Sequence, residues 1–173
     1  MNKINLKSFL RSGQGATDIT PLLKDGRAFG FLVDEICNLF DGQKFDNVVC
    51  VEGRGFILGG AIALKLRCGV VPLRYPGKLK NEVHSLKFID YSGKEKELQI
   101  HKDAISSGQK VLIIDDWLET GSTIKTAIKL IEMCGGEVGG IGIFMDDSSD
   151  ETKDFLAKYN YKYVEKVQSN DSF

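Results

Sequence analysis

The chain has 173 residues, of which 42% are hydrophobic and 27% are charged. This length supports one well-buried core and is short for two ordinary domains, and the composition excludes disordered, collagen-like and coiled-coil proteins. The chain carries 23 Lys and Arg against 24 Asp and Glu, a formal net charge of -1, so the molecule as a whole has no electrostatic attraction for nucleic acid or an anionic membrane. A polyanionic ligand would need a local site.

The apolar stretches, such as 111–114 and 141–145, are much shorter than the roughly 18 residues of a membrane span. The first ten residues include Lys3 and Lys7 and no small-residue cleavage site, so we expect no secretory signal and a cytoplasmic protein. The cysteines are far apart and lack Cys-x-x-Cys spacing, which predicts buried free thiols rather than a zinc site or disulfides. They are Cys37, Cys50, Cys68 and Cys134.

The predicted elements begin with a helix over 27–40, where apolar residues recur at helical spacing. A short apolar run at 47–51 predicts a strand covered on both faces, and a helix over 54–66 follows the turn at Glu52-Gly53-Arg54-Gly55. A second strand is expected at 70–73. The segment 75–100 is rich in Lys, Gly and charge with weak alternation, which predicts a flexible excursion with a β-hairpin, the kind of segment that often forms a lid.

The second half continues the alternation of strands and helices. It predicts strands at 111–114, 138–145 and 161–164, with helices at 122–134 and 150–159 between them. This order favours an α/β fold with a mostly parallel, doubly wound sheet and helices on both faces. We therefore expect a single domain over 1–173, with a small N-terminal appendage over 1–25 and the hairpin excursion inserted into it.

The segment Val111–Thr123 contains the most informative motif. Its apolar run ends in Asp115 and Asp116, and Glu119-Thr120-Gly121-Ser122-Thr123 then opens a helix. The loop offers backbone N–H groups, hydroxyls and a helix N-terminus, which suit a phosphate monoester, and the two carboxylates can accept hydrogen bonds from the vicinal hydroxyls of a ribose. These features predict a ribose 5-phosphate site at a strand end, where open α/β sheets bind ligands. The alternative is a solvated strand end followed by an ordinary helix cap.

A second group of residues follows the first predicted strand. Glu52 and Gly53 lead into Arg54, whose planar guanidinium can bind a diphosphate through two hydrogen bonds. Arg74 and Lys78 add a local cationic cluster after the second strand. We expect these residues to form a pyrophosphate site at the same edge of the sheet. A helix cap with a surface arginine and a solvated basic loop would explain the same residues.

These motifs resemble those of a known family. Residues 111–121 resemble the phosphoribosyl pyrophosphate motif of the type I phosphoribosyltransferases. That motif consists of four hydrophobic residues, two acids, two further residues, an acid or Ala, and then Thr-Gly. Within these enzymes, the chain is similar to the adenine phosphoribosyltransferases over most of its length. The segments that carry this similarity are Asp18–Leu23, Glu52–Ile57, Val71–Arg74, Pro76–Leu79 and Leu98–Ala104.

The resemblance implies magnesium-dependent transfer of phosphoribose to a nucleobase. It also implies a homodimer in which the basic loop of one subunit reaches toward the other's site. From the net charge and the short apolar stretches we expect no nucleic acid or membrane partner. We expect magnesium to be held through the pyrophosphate and water rather than directly by the protein. Arg54, helped by Arg74 and Lys78, would offset the charge of the leaving pyrophosphate.

The departures from the family pattern are at residues that are expected to bind the nucleobase. The family has Phe and Arg where this chain has Ala16 and Thr17, and the Phe stacks on adenine. The family's Glu that faces the purine ring corresponds to Asp90, and Glu119 replaces its usual Ala, so either Asp90 or Glu119 is a candidate to accept the proton of the incoming base. Trp117 stands where the family is aliphatic, either as core packing or as a replacement platform for the base.

The predicted function is salvage of a nucleobase. The phosphoribosyl group of phosphoribosyl pyrophosphate would pass to a purine such as adenine, releasing pyrophosphate and giving a nucleoside monophosphate. Two alternatives remain open at this stage: transfer to a different base or acceptor, and a regulator that binds phosphoribosyl pyrophosphate without catalysis.

Overall fold

The computed structural model describes residues 4–11, 17–168 and 171. The strands are β1 (Asn47–Val51), β2 (Gly69–Leu73), β3 (Val83–Ile89), β4 (Glu95–His101), β5 (Lys110–Leu118), β6 (Glu137–Asp146) and β7 (Tyr161–Lys166). Five of them form a parallel sheet in the order β2-β1-β5-β6-β7, and β3 and β4 form a separate antiparallel hairpin. The mostly parallel α/β sheet and the hairpin excursion predicted from the sequence are confirmed.

The helices cover both faces of the sheet. They are α1 (Thr20–Lys24), α2 (Gly26–Leu39), α3 (Arg54–Leu66), α4 (Ser122–Met133) and α5 (Asp150–Ala157), and a short 3-10 helix spans Leu6–Phe9. Alternate residues of a strand point to opposite faces. In β5, Leu112 and Ile114 accordingly pack in one core with α2 and α3, and Val111 and Ile113 pack in the other with α4.

Local signals set the helix boundaries. The Asp25 carboxylate accepts hydrogen bonds from the backbone N–H groups of Arg27 and Ala28 and caps α2. Beyond α4, Gly135 has a positive φ of 85° and its N–H donates to the Glu132 carbonyl, which ends the helix as the sequence predicts.

One predicted strand is too short. The sequence indicated a strand at 111–114, whereas β5 continues to Leu118, with Asp115 opposite Ile143 and Leu118 opposite Asp146. Aspartates and a short polar run resemble a strand end when read alone. Here β6 runs beside them and supplies backbone partners, so the acidic pair lies within the extended strand.

The N-terminal segment contributes to the core. Leu6, Leu10, Ile19 and Leu22 are buried in the same core as α2 and α3. The prediction of buried thiols holds for Cys37 and Cys50, whereas Cys68 and Cys134 are partly exposed, and all four are free. No helix in the described part of the chain is long and apolar enough to span a membrane.

Candidate active site

The order of the strands creates a cleft between the carboxyl ends of β1 and β5. The chain leaves β1 toward β2 on one side and leaves β5 toward β6 on the other. The connecting loops therefore diverge, and this is the point at which doubly wound sheets bind ligands. A cleft of about 400 Å³ opens there. The predicted site residues that line it are Glu52, Gly53, Arg54, Asp115, Asp116, Trp117, Glu119, Thr120, Gly121, Ser122 and Thr123.

The loop between β5 and α4 has a fixed shape. Gly121 has a φ of 73°, a left-handed conformation that favours glycine, and it directly precedes the first turn of α4. The Thr120 hydroxyl accepts a hydrogen bond from the Ser122 N–H at 3.3 Å and lies 3.0 Å from the Ser122 hydroxyl. The loop thus brings the start of α4 and a group of hydroxyls into the cleft, as a phosphate monoester would require.

The acidic pair is desolvated. Asp116 is only 5% exposed, and Asp115 accepts a hydrogen bond from the Asp116 N–H at 3.0 Å. Burial, and then the negative charge of Asp116, raise the pKa of Asp115. Burial also raises the pKa of Asp116, and the positive charge of Arg54 opposes that rise. A carboxylate pair in this setting favours a ligand that donates hydrogen bonds to it.

Arg54 is held by the protein at both ends of its guanidinium. Its Nε lies 2.7 Å from Oδ2 of Asp116, and Nη1 donates a hydrogen bond to the Thr17 carbonyl. The sequence predicted a guanidinium that can bind a diphosphate, and the structure shows that it also forms an ion pair with Asp116. A guanidinium has several N–H donors, so these two contacts leave others for a ligand in the cleft.

Glu52 accepts hydrogen bonds from the two residues that follow β2. Its carboxylate accepts two hydrogen bonds from Arg74, at 3.1 and 3.3 Å, and a third from the Tyr75 N–H at 2.7 Å. The bond from Arg74, together with that from Tyr75 and the charge of Lys78, lowers the pKa of Glu52 despite partial burial. The Arg74 guanidinium also lies 5.4 Å from the centre of the Phe56 ring. Among the described residues, Arg74 and Lys78 do not line the cleft.

The two candidates for accepting a proton occupy different settings. Glu119 lines the cleft, and burial, then the negative charges of Asp147 and Asp90, raise its pKa. Asp90 lies at the tip of the hairpin, where its Oδ1 accepts hydrogen bonds from Ser92 and Lys94 at 2.7 to 3.0 Å. The bond from the Ser92 side chain is the main cause that lowers the pKa of Asp90. Asp90 is outside the described cleft lining, although its neighbour Tyr91 belongs to it.

The structure adds residues that the sequence analysis did not select. Tyr75, Tyr91 and Asp147 line the cleft. The sequence offered a signal for Asp147, because it directly follows the buried strand β6 and ligands of such sheets bind at the carboxyl ends of the strands. A helix cap lies two residues further on, where the Ser149 hydroxyl accepts a hydrogen bond from the Thr152 N–H.

Trp117 lies on β5 and lines the cleft, two residues before Glu119. Of the two residues that replace the family's Phe and Arg in the sequence analysis, Thr17 lines the cleft and Ala16 lies outside the described residues. No group of three or more His, Cys, Asp or Glu residues within the described ranges is arranged to hold a metal ion.

Comparison with known proteins agrees with this geometry. The family model described as the phosphoribosyl transferase domain matches residues 19–173. An adenine phosphoribosyltransferase of Thermotoga neapolitana is 43% identical over 167 residues, which cover 92% of this chain and 97% of that protein. One of Clostridium botulinum is 39% identical over 155 residues, covering 90% of each chain.

Solved structures give the same result. The crystal structure of adenine phosphoribosyltransferase from Thermoanaerobacter pseudethanolicus superposes with a TM-score of 0.84 at 36% identity, and covers 94% of this chain and 98% of that one. The family match spans both loops that form the cleft. The strand order agrees with these matches, as do the acidic pair and the hydroxyl-rich loop at the point where the strand order reverses. The chain belongs to the phosphoribosyltransferase family, and within it is similar to the adenine phosphoribosyltransferases.

Proposed function

We propose that this enzyme transfers the phosphoribosyl group of phosphoribosyl pyrophosphate to adenine, releasing pyrophosphate and forming the nucleoside monophosphate. The observation that carries the proposal is the cleft at the switch point, where Asp115, Asp116 and the loop 119–123 face one space. Relatives at 39–43% identity that are named adenine phosphoribosyltransferase support the choice of base. A yeast enzyme of that name, with 29% identity and a TM-score of 0.77, was solved with adenine bound.

The ribose end of the cleft accounts for binding of the donor. The loop 119–123 would anchor the 5-phosphate through backbone N–H groups and hydroxyls, and Asp115 and Asp116 would accept hydrogen bonds from the ribose diol. Loss of pyrophosphate leaves positive charge on the ribose ring and negative charge on the leaving group. The carboxylates are suited to the first charge and Arg54 to the second.

Magnesium fits this scheme as a companion of the substrate. Mg²⁺ prefers oxygen ligands and retains water, and it commonly enters a site with substrate phosphates. In the described chain, Asp116 forms an ion pair with Arg54, Asp115 accepts a hydrogen bond from the Asp116 backbone N–H, and no group of three or more His, Cys, Asp or Glu residues is arranged to hold a metal ion. The ion would supply charge neutralisation at the diphosphate, while Arg74 and Lys78 would reach that end when the loop after β2, or the same loop of a second subunit, approaches the cleft.

Glu119 is the better candidate to accept the base's proton. It lies in the cleft and its pKa is raised. A raised pKa brings a carboxyl group nearer to the pKa of the N–H group that it must deprotonate. Asp90 has a lowered pKa, and its Oδ1 is already engaged by the hairpin turn. Asp90 would instead fix the position of Tyr91 over the cleft.

A different acceptor base is the second candidate, favoured by the composition of the base end. Glu119 and Asp147 place two carboxyl groups beside Trp117 in the same cleft. Carboxylates accept hydrogen bonds and do not donate them, so this end suits a ring with several N–H groups. A purine that carries an additional N–H donor would meet that condition as well as adenine does.

The decisive experiment is a panel of purine and pyrimidine bases with phosphoribosyl pyrophosphate and Mg²⁺, following pyrophosphate release. Turnover with adenine supports the proposal, and turnover with another base but not adenine supports the second candidate. If no base reacts while phosphoribosyl pyrophosphate binds, the protein is a regulator and transfer is not its function. The Asp115→Asn, Asp116→Asn double variant is the inactive control.

We also propose a homodimer in the cytoplasm. Ile57 and Leu64 lie two turns apart on α3, and Leu64 is 81% exposed. Val70 is exposed on β2, the edge strand that contacts α3. An apolar face of this kind would be covered in a dimer.

Four free thiols and a net charge near zero suit a reducing compartment and a partner other than nucleic acid.

Leu64→Asp tests the dimer. Sedimentation velocity should show a monomer for the variant and a dimer for the wild type, with Met133→Asp on an exposed position of α4 as the control. A monomeric wild type would refute the dimer without affecting the assignment of the cleft.

A further inference from the structure

The first turn of α5 lies directly behind the loop that joins β5 to α4. Thr152 is 4% exposed, and its hydroxyl donates a hydrogen bond to the Thr120 carbonyl at 3.2 Å. Thr152 is separated from this loop by the whole of α4 and β6. It is absent from the residues described as lining the cleft, so it contacts the loop from the protein side.

A second contact fixes the next residue of the loop. A Cβ atom built on Gly121 would lie 2.6 Å from the Thr152 methyl carbon, so that methyl group packs closely over the glycine. Gly121 also has the positive φ of 73° that turns the backbone toward α4. Thr152 therefore holds two consecutive loop residues, one by its hydroxyl and one by its methyl group.

The Thr152 side chain is itself held in place. Ser149 caps α5 by accepting a hydrogen bond from the Thr152 N–H at 3.3 Å, and its hydroxyl lies 3.4 Å from the Thr152 hydroxyl. With Ser149 donating, the Thr152 hydrogen is directed toward the Thr120 carbonyl. A buried hydroxyl with this orientation fixes the carbonyl, and hence the direction of the N–H groups that follow it.

We propose that Thr152 is a positioning residue for the 5-phosphate of the substrate, acting through Thr120 and Gly121. The inference rests on the proposed assignment of 119–123 as the phosphate anchor. Backbone donors bind an anion strongly only when they are already oriented toward it, because otherwise binding must order the loop. Thr152 supplies that orientation from a different part of the chain.

Two variants separate the contacts of Thr152. Thr152→Val keeps the shape and the methyl contact with Gly121 but removes the donor to Thr120. Calorimetry should show binding of ribose 5-phosphate weakened about five- to tenfold, the effect expected for one lost hydrogen bond. Binding of Mg-pyrophosphate should change less than about twofold by the same comparison, since the site proposed for that ligand is on the β1 side. Thr152→Ser keeps the hydroxyl and should restore most of the affinity for ribose 5-phosphate.

In steady-state kinetics, Thr152→Val should raise KM for phosphoribosyl pyrophosphate while leaving KM for the base unchanged. Leu156→Val is the control, because Leu156 is a fully buried residue of the same helix and lies in the core rather than against the loop. If Leu156→Val weakens ribose 5-phosphate binding as much as Thr152→Val does, Thr152 acts only through the stability of α5 and the inference is wrong.

Thr123→Val distinguishes the inference from the assignment beneath it, since Thr123 lines the cleft itself. If Thr123→Val weakens ribose 5-phosphate binding and Thr152→Val does not, the role of Thr152 is refuted and the anchor stands. If neither variant alters that binding, the loop is not the phosphate anchor and both conclusions fail.

Discussion

The two ends of the cleft are built in different ways. The proposed ribose end comes from one stretch of chain, with Asp115 and Asp116 at its start and Thr120–Thr123 at its end, and it is supported by Arg54 from the neighbouring loop and by Thr152 from behind. The base end combines Trp117 and Glu119 with side chains from two other segments, Tyr91 on the hairpin and Asp147 after β6.

This difference indicates which end can change during evolution. A site made from one contiguous motif fails when any part of it is altered, because its groups share one backbone path. A site assembled from three segments can exchange a side chain on one of them while the others keep their positions. Trp117 and Glu119, which the sequence analysis identified as departures from the family pattern, belong to the assembled end.

The largest effect is expected from removing the acidic pair. Asp115→Asn with Asp116→Asn should weaken phosphoribosyl pyrophosphate binding by on the order of 3 kcal/mol or more, since ligand hydrogen bonds are lost and Arg54 is left without its buried partner. Isothermal titration calorimetry measures this. Circular dichroism must show a folded variant. Unchanged affinity in a folded double variant would remove the ribose end from this part of the chain.

The next largest effect tests the base end. Glu119→Gln should lower kcat by about a hundredfold or more, the usual contribution of a general base, while KM for phosphoribosyl pyrophosphate changes little. Asp90→Asn is the matched comparison and should have the smaller effect on kcat. If Asp90→Asn is the more damaging variant, the hairpin rather than the β5 loop supplies the base.

The same residue predicts the pH profile. A general base acts when ionised, so activity should be present above the raised pKa of Glu119 and lost as the pH falls through it. Because the negative charge of Asp147 contributes to that raised pKa, Asp147→Asn should move the acidic limb of kcat to lower pH. An acidic limb that does not move would show that another group controls the profile.

A smaller effect is expected at the turn of the ribose end. Gly121→Ala should destabilise the fold by about 1–3 kcal/mol and weaken ribose 5-phosphate binding, because alanine is strained at positive φ and its Cβ would collide with Thr152. Thermal unfolding and calorimetry measure the two effects. Gly30→Ala is the control: Gly30 is in α2 with open space around it, and alanine should stabilise the helix by roughly 0.5–1 kcal/mol.

The smallest expected effect concerns Trp117. If its ring lies over the base, Trp117→Leu should raise KM for the base roughly tenfold, as loss of one stacking contact would, and spare phosphoribosyl pyrophosphate affinity. Trp117 fluorescence should also respond to the base or nucleotide. Efficient use of adenine by a Trp117→Leu variant that differs only in stability would make Trp117 a packing residue.

Much of the fold follows from local sequence. Apolar runs of strand length and helical spacing of apolar residues were sufficient to place the five strands of the sheet and helices α2 to α5 to within a few residues, apart from the end of β5; α1 and the 3-10 helix, within the predicted N-terminal appendage, were not predicted. That end was missed because Asp115 and Asp116 resemble a turn, and only the neighbouring β6 provides the partners that extend the strand.

Local sequence was sufficient to predict the parallel α/β architecture and to identify the motif Asp115–Thr123, because both predictions depend on residues that are neighbours along the chain. The remaining features appear only in the folded chain. Arg54 forms an ion pair with Asp116, and Thr152 donates a hydrogen bond to the Thr120 carbonyl. Asp147 and Tyr91 lie in the same cleft as Trp117 and Glu119. These contacts join segments that are distant in sequence. Their existence depends on strand order and helix placement, and no local pattern records which distant side chains that packing brings together.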